Sequence, residues 1–134
     1  MAIIFNKVAR HNPSNPGEVK YYAATKTIKL VDEREVAKMI ADETTLNPKE
    51  AEMTLEQLKK VVLRLLKDSY SVRLGDWISF HVGLSSTGVD KIEDVSAKQI
   101  KGVHLNTRLS KDFKEELNRA TFMSEEVLRS KKKV

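Results

Sequence analysis

The chain has 134 residues, 40% of them hydrophobic and 32% charged, with a formal net charge of +5. That is enough sequence for one domain with one core, and no apolar run approaches the ~20 residues a membrane helix needs. Without cysteine there are no disulfides, no thiolate metal sites and no cysteine nucleophile.

Charge is unevenly spread. Residues 1–30 carry five basic groups against Glu18 alone, and residues 103–134 carry eight basic against five acidic. Residues 31–70 are slightly acidic, with seven basic and nine acidic groups. Positive charge therefore gathers toward the two ends, a pattern compatible with a polyanionic partner.

Residues 1–30 read as two extended segments around a loop. Met1-Ala2-Ile3-Ile4-Phe5 turns polar at Asn6-Lys7, too short for a signal-peptide core, so a cytoplasmic location is expected. Ile3 to Val8 suits a strand, and Lys20 to Leu30 alternates partly and suits a second. Between them His11-Asn12-Pro13-Ser14-Asn15-Pro16-Gly17 is expected to lack regular structure. Lys7, Arg10 and Lys20 are either phosphate contacts of a basic arm or, the plainer reading, solvated lysines and arginine of an added β layer.

Asp32-Glu33-Arg34-Glu35 opens a first helix, with Asp32 as N-cap, and Val36, Met39 and Ile40 form its apolar stripe. It ends near Thr44-Thr45-Leu46. Asn47-Pro48-Lys49-Glu50 opens the second: a capping side chain, proline where no N–H is needed, and glutamate three residues after the cap. Ala51, Leu55, Leu58, Val62 and Leu65 fall on one face, widened by Thr54, Val61 and Leu66. So wide a stripe calls for contact with more than its own chain. A helix–turn–helix docked in a DNA groove is disfavoured, because Glu50 and Glu52 stand at the second helix's exposed start.

After Asp68-Ser69-Tyr70 the period changes to two. Val72, Leu74, Ile78, Phe80, Val82 and Leu84 share one face, with a bend at Gly75-Asp76. Trp77 is expected as a plug in a core or interface.

The order helix–helix–strand–strand–arm–strand–helix, with Gly75-Asp76-Trp77-Ile78-Ser79-Phe80 at the bend, resembles the HU/IHF family of bacterial histone-like DNA-binding proteins. Gly75, Asp76, Ser79 and Phe80 match its pattern Gly-Asp-Phe-Gly-Ser-Phe, whereas Trp77 and Ile78 stand where the family has phenylalanine and glycine. The Asn-Pro, Asn-Pro and Tyr-Tyr-Ala of residues 12–23 are similar to the family's branch with an N-terminal extension. The resemblance implies an α+β fold: a two-helix base, an antiparallel sheet with an arm hairpin and a short last helix. Residues 31–120 would form it, behind an extension of strands at 1–30 and ahead of a helical turn and basic tail at 121–134. It also implies a homodimer with interlocked helices, DNA as partner and a nucleoid-associated location.

In that family the arms enter the minor groove with arginines and lysines, and a proline wedge kinks the duplex. The matching stretch here, 83–102, holds Lys91, Lys98 and Lys101 against Asp90, Glu93 and Asp94, with no arginine and no proline. A neutral arm gains little from counterion release, so bending of the HU kind is not expected.

The returning segment keeps the family's basic positions as Arg108, Lys111 and Lys114, with Ser110 as N-cap of a helix over 111–120. Arg108, Lys111 and Lys114, followed by Lys91, Lys98 and Lys101, are the candidate DNA-binding residues. Ser124-Glu125-Glu126 opens a further turn or two, and Lys131-Lys132-Lys133 reads as a frayed basic tail.

Nothing supports catalysis. His11, His81 and His104 are far apart in sequence, and even if paired strands bring His81 near His104, two histidines without a carboxylate or thiolate make a poor metal site. There is no glycine-rich phosphate loop and no nucleophile elbow. No cofactor, membrane or small-molecule substrate is implied. Two readings remain: a histone-like protein that contacts phosphates without sequence preference and bends DNA little, or an HU-fold dimer turned into a protein-interaction scaffold.

Overall fold

Two capped helices and two three-stranded sheets account for most of the chain. The structure, a computed structural model, describes residues 2–132. They divide into two units. One is Asp32–Glu115; the other joins the segment ending at Val31 to the segment starting at Glu116.

In the larger unit, α1 (Glu33–Glu43) starts where Asp32 Oδ1 accepts the Glu35 N–H at 2.9 Å. Thr44 ends it, its hydroxyl donating to the Ile40 carbonyl at 2.8 Å. Helix α2 (Pro48–Lys67) has a complete capping box: Asn47 accepts from the Glu50 N–H at 2.9 Å while Glu50 accepts from the Asn47 N–H at 3.3 Å. Ser69, at φ 69°, takes the left-handed conformation that stops α2. The two helices pack on each other, and the residues they bury are Ala37 and Ala51, whose small side chains permit close approach. No larger side chain of this unit is fully buried: Met39, Met53 and Leu63 are all more than half exposed.

The sheet of this unit is ordered β3 (Val72–Leu74), β4 (Ile78–Ser86), β5 (Ile100–Leu109), antiparallel throughout. Gly75 supplies the positive φ (53°) that the β3–β4 turn requires. Trp77, expected as a plug, is 45% exposed in the chain. Its ring leans on Phe113 at 5.7 Å between centroids, and its carbonyl accepts the Ser110 N–H at 2.9 Å. Helix α3 (Lys111–Asn118) follows at once, capped by Ser110 Oγ accepting from the Phe113 N–H at 3.1 Å.

The other unit is a sheet ordered β2 (Asn15–Thr25), β1 (Ala2–Asn12), β6 (Thr121–Ser124), followed by α4 (Glu125–Lys132). Strands β1 and β2 form a hairpin whose turn needs only Pro13-Ser14, with Asn12 Oδ1 accepting the Ser14 N–H at 3.0 Å. The irregular loop expected over His11–Gly17 is therefore shorter than its composition suggested. Pro16 sits on the outer strand of the sheet, in the stretch that the register shift leaves without partners between Asn15 and Val19, so its missing N–H breaks no ladder bond. Strand β2 stops at Thr25, short of the expected Leu30, because β1 is nearly used up there: the Lys26 N–H takes the Ile4 carbonyl at 2.8 Å. Strand β6, which periodicity did not announce, pairs in parallel with β1 from Ala2–Thr121 to Phe5–Ser124. Residues 121–132 thus join the same sheet as the first hairpin. Lys131 and Lys132 lie in α4, and Lys133 falls outside the described residues.

Candidate nucleic-acid interface

Register decides what the β3–β4–β5 sheet presents, because residues directly opposite one another point to the same face. One face carries Val72, Phe80 and Thr107 in one rung and Leu74, Ile78 and Leu109 in the next. Toward the arm it continues through Val82 opposite Leu105 and Leu84 opposite Val103. Val72, Leu74, Ile78 and Phe80 are half-buried, and α2 packs on β3 and β4. Beyond the helix the apolar face is uncovered, with Leu84 58% and Val103 66% exposed.

The opposite face is polar. Its first rung is Arg73, Ser79 and Arg108, one residue from each strand. Outward along the arm come His81 opposite Asn106, Gly83 opposite His104, and Ser85 opposite Gly102. His81 Nε2 and Asn106 Nδ2 are 3.3 Å apart. The imidazole of His104 lies over Gly83, where a Cβ would collide with it. Arg73 and Arg108, with Ser79, Ser110, Asp76 and Trp77, line one open depression of about 470 Å³. Neither guanidinium makes a hydrogen bond or ion pair among the described residues.

The expected binding residues are not gathered in one place. Arg108 stands at the root of the arm in the rung just described. Lys111 is the first residue of α3, exposed, with its Nζ 3.9 Å from the Glu115 carboxylate. Lys114 is exposed on the same helix. Lys101 is seven residues up β5 from Arg108, roughly 23 Å at strand rise. Lys91 and Lys98 belong to the tip, in or beside two short 3₁₀ turns, Ile92–Asp94 and Ala97–Gln99. Gln99 closes that tip: its Nε2 donates to the Thr87 carbonyl at 2.9 Å, and its Oε1 accepts the Ser96 N–H at 2.7 Å. The tip lysines alternate with Asp90, Glu93 and Asp94, and Ile92 stands out at 85% exposure.

Arg73 and Asn106 are what sequence reasoning missed on this face. Arg73 sits in a strand of three residues, where only its apolar neighbours carry a periodic signal. Its partner Arg108 is set by two successive strand registers, which no local pattern encodes. His81 and His104 stand on successive rungs, opposite Asn106 and Gly83, and no group of three or more side chains that could hold a metal ion occurs among the described residues.

Elsewhere in the same unit, the Glu33 carboxyl on α1 hydrogen-bonds to that of Glu56 on α2. This, with the nearby charge, raises Glu33 above the usual 4.5. Glu56 is lowered by the same hydrogen bond and by Lys59, whose Nζ is 3.6 Å away. No helix of the described residues is long and apolar enough to cross a membrane.

Comparison with known proteins bears on this arrangement. No curated protein matches the chain. Among solved structures, a crystal structure from Bacteroides vulgatus ATCC 8482, described as a candidate bacterial DNA-binding protein, superposes with a TM-score of 0.59 at 13% identity. The match covers 92% of this chain and 48% of the other, so the chain spans about half the length of that structure and shares its fold. Residues 1–124 match the family HU-HIG, described as an HU domain fused to wHTH, Ig, or glycine-rich motif. With the two-helix base, the arm-bearing sheet and the short last helix all in place, the chain belongs to the HU-HIG family of HU-like proteins.

Proposed function

We propose that this protein is a histone-like DNA-binding protein that contacts the phosphate backbone without sequence preference and bends the duplex little. The observation that carries this reading is the polar face of the β3–β4–β5 sheet, with Arg108 at its root, on a chain of the HU-HIG family. Arg108, Lys111 and Lys114 would make the main contacts and Lys91, Lys98 and Lys101 weaker ones along the arm. Phosphate contacts fix position without reading bases, which is why lack of sequence preference follows. The tip's balanced charge and the absence of proline from 83–102 argue for little bending. The protein would act by binding, not by catalysis, and would be associated with the nucleoid.

The active form in this reading is a homodimer. Only Ala37 and Ala51 are buried in the larger unit, and the apolar flanks of α1 and α2 stay open to solvent. A second copy covers such a surface with the same residues, as a two-fold interface requires.

A second reading is favoured by one observation. Leu84, Val103 and Ile92 put exposed apolar surface on an arm with no net charge, which suits a protein partner better than a phosphate backbone. Fluorescence anisotropy of a labelled duplex of about 30 base pairs, titrated at several salt concentrations, separates the two. Micromolar or tighter binding, with log K falling steeply against log salt, supports the DNA reading. No binding at low salt sinks it and leaves the scaffold.

A further inference from the structure

We propose that the depression between Arg73 and Arg108 is a clamp for a single phosphodiester group, with Arg73 as a binding residue in its own right. The inference rests on the DNA reading above but goes beyond it, since it assigns one site, its stoichiometry and a residue on a strand that periodicity leaves uninformative.

The argument begins with register. Arg73 pairs with Ser79 and Ser79 pairs with Arg108, so the two arginines flank one serine across three strands and point to one face. Adjacent strands lie about 4.8 Å apart, which puts the two backbones roughly 10 Å from each other. Long side chains leaning over Ser79 can span that gap and close on one tetrahedral anion. Both line the same depression. Like charges on one face repel, and nothing among the described residues neutralises either guanidinium by an ion pair. An anion between them removes that repulsion, and a guanidinium offers paired N–H donors that match two phosphate oxygens.

The depression also decides the kind of anion. Ser79, between the two arginines in the rung, adds a hydroxyl donor to its lining. Ser110 lines it too; its oxygen accepts the Phe113 N–H, which fixes the side chain and leaves its O–H as a second donor. Asp76 lines the depression as well and brings one negative charge, which leaves the site at about one net positive charge, the charge that a single phosphodiester neutralises. The site is open, as one passed by a continuous backbone must be. Its place at the root of the arm, next to the His81–Asn106 and Gly83–His104 rungs, sets a backbone contact before the arm begins.

The test uses the full chain and the same labelled duplex, with Arg73→Gln, Arg108→Gln and the double variant, and Arg64→Gln on α2 as a control of equal charge change. Circular dichroism of each variant checks the fold. A clamp on one phosphate predicts that each single variant weakens binding roughly three- to tenfold. It also predicts that the salt slope of the double variant falls by only about one, the loss of one neutralised phosphate. Arg64→Gln is expected to bind as the unaltered chain does.

A double variant whose slope falls by about two means two separate contacts and overturns the clamp. So does Arg73→Gln binding unchanged while Arg108→Gln is weakened. A parallel titration of the unaltered chain with dimethyl phosphate and with inorganic phosphate follows the arginine side-chain N–H signals by NMR. If the duplex does not bind but both arginines shift with dimethyl phosphate, the clamp stands and the DNA reading fails. If neither the duplex nor either phosphate is bound, both fail.

Discussion

The imidazole of His104 lies over Gly83, in the space a Cβ at that position would occupy. Glycine is needed there for close approach, not for an unusual backbone angle. Gly83→Ala is therefore expected to push the ring outward while leaving the β4–β5 ladder intact. The gain from restricting the unfolded chain, about 0.4–1 kcal/mol, should be offset by lost ring packing. The change is best read as loss of nuclear Overhauser contacts between the His104 ring and residue 83, with little movement in melting temperature.

Glu33 and Glu56 make a second relationship that can be titrated. Glu33 is raised in the folded chain, so its contribution to stability is complete below its unfolded value near 4.5 and is lost as pH climbs through the raised value. Glu56 is lowered, so its contribution is present above 4.5 and is lost as pH falls through the lowered value. Glu33→Gln removes one of the two facing carboxylate charges and puts an amide donor beside Glu56. It should raise the melting temperature at pH 7 and lose that advantage near pH 4.5. An equal gain at both pH values would show that the carboxylate pair is not the cause.

Trp77 is the single tryptophan of the chain, and its contact with Phe113 ties the β3–β4 turn to α3. Removing the partner ring by Phe113→Ala should cost about 1–2 kcal/mol, below the fully buried range because both rings are partly exposed. Urea denaturation measures the cost. Tryptophan emission of the folded variant should shift to the red as the indole gains water.

Asn47→Ala breaks the one complete capping box on a long helix. A loss of about 1 kcal/mol is expected, with a smaller loss for Glu50→Ala, since that change removes only the reciprocal bond. Thermal melts of the two variants give the order directly.

Met53 and Leu63 stand on the exposed side of α2. If a second copy covers that side, Leu63→Arg should shift the molecule from twice the chain mass to the chain mass in light scattering and lower its stability together with it. A Leu63→Arg variant that stays at its original mass argues against α2 as the contact.

Much of this architecture was legible in the amino-acid order because its causes are local. Asp32, Asn47-Pro48 and Ser110 mark helix starts through hydrogen bonds that span three residues, and all three act as expected. The alternation from Val72 to Leu84 fixes one apolar face through a period of two, and Gly75 is where the chain needs a positive φ. The overlong loop assigned to His11–Gly17 has a local cause as well. Two prolines suggested irregular backbone, but Pro13 lies in the turn and Pro16 lies where the register shift leaves the outer strand unpaired.

Only the tertiary structure could decide what depends on residues far apart in the chain. Strand β6 is four residues long and holds to β1 by pairing Ala2 with Thr121, a contact no window of sequence contains. The same holds for the Arg73–Ser79–Arg108 rung. The family resemblance gave Arg108 a role and left Arg73 without one, because a side chain's neighbours across a sheet are set by register. Sequence by itself determined the elements, the caps and the family resemblance; register then decided which charges share a face, since hydrogen bonds between strands are indifferent to the distance along the chain that separates them.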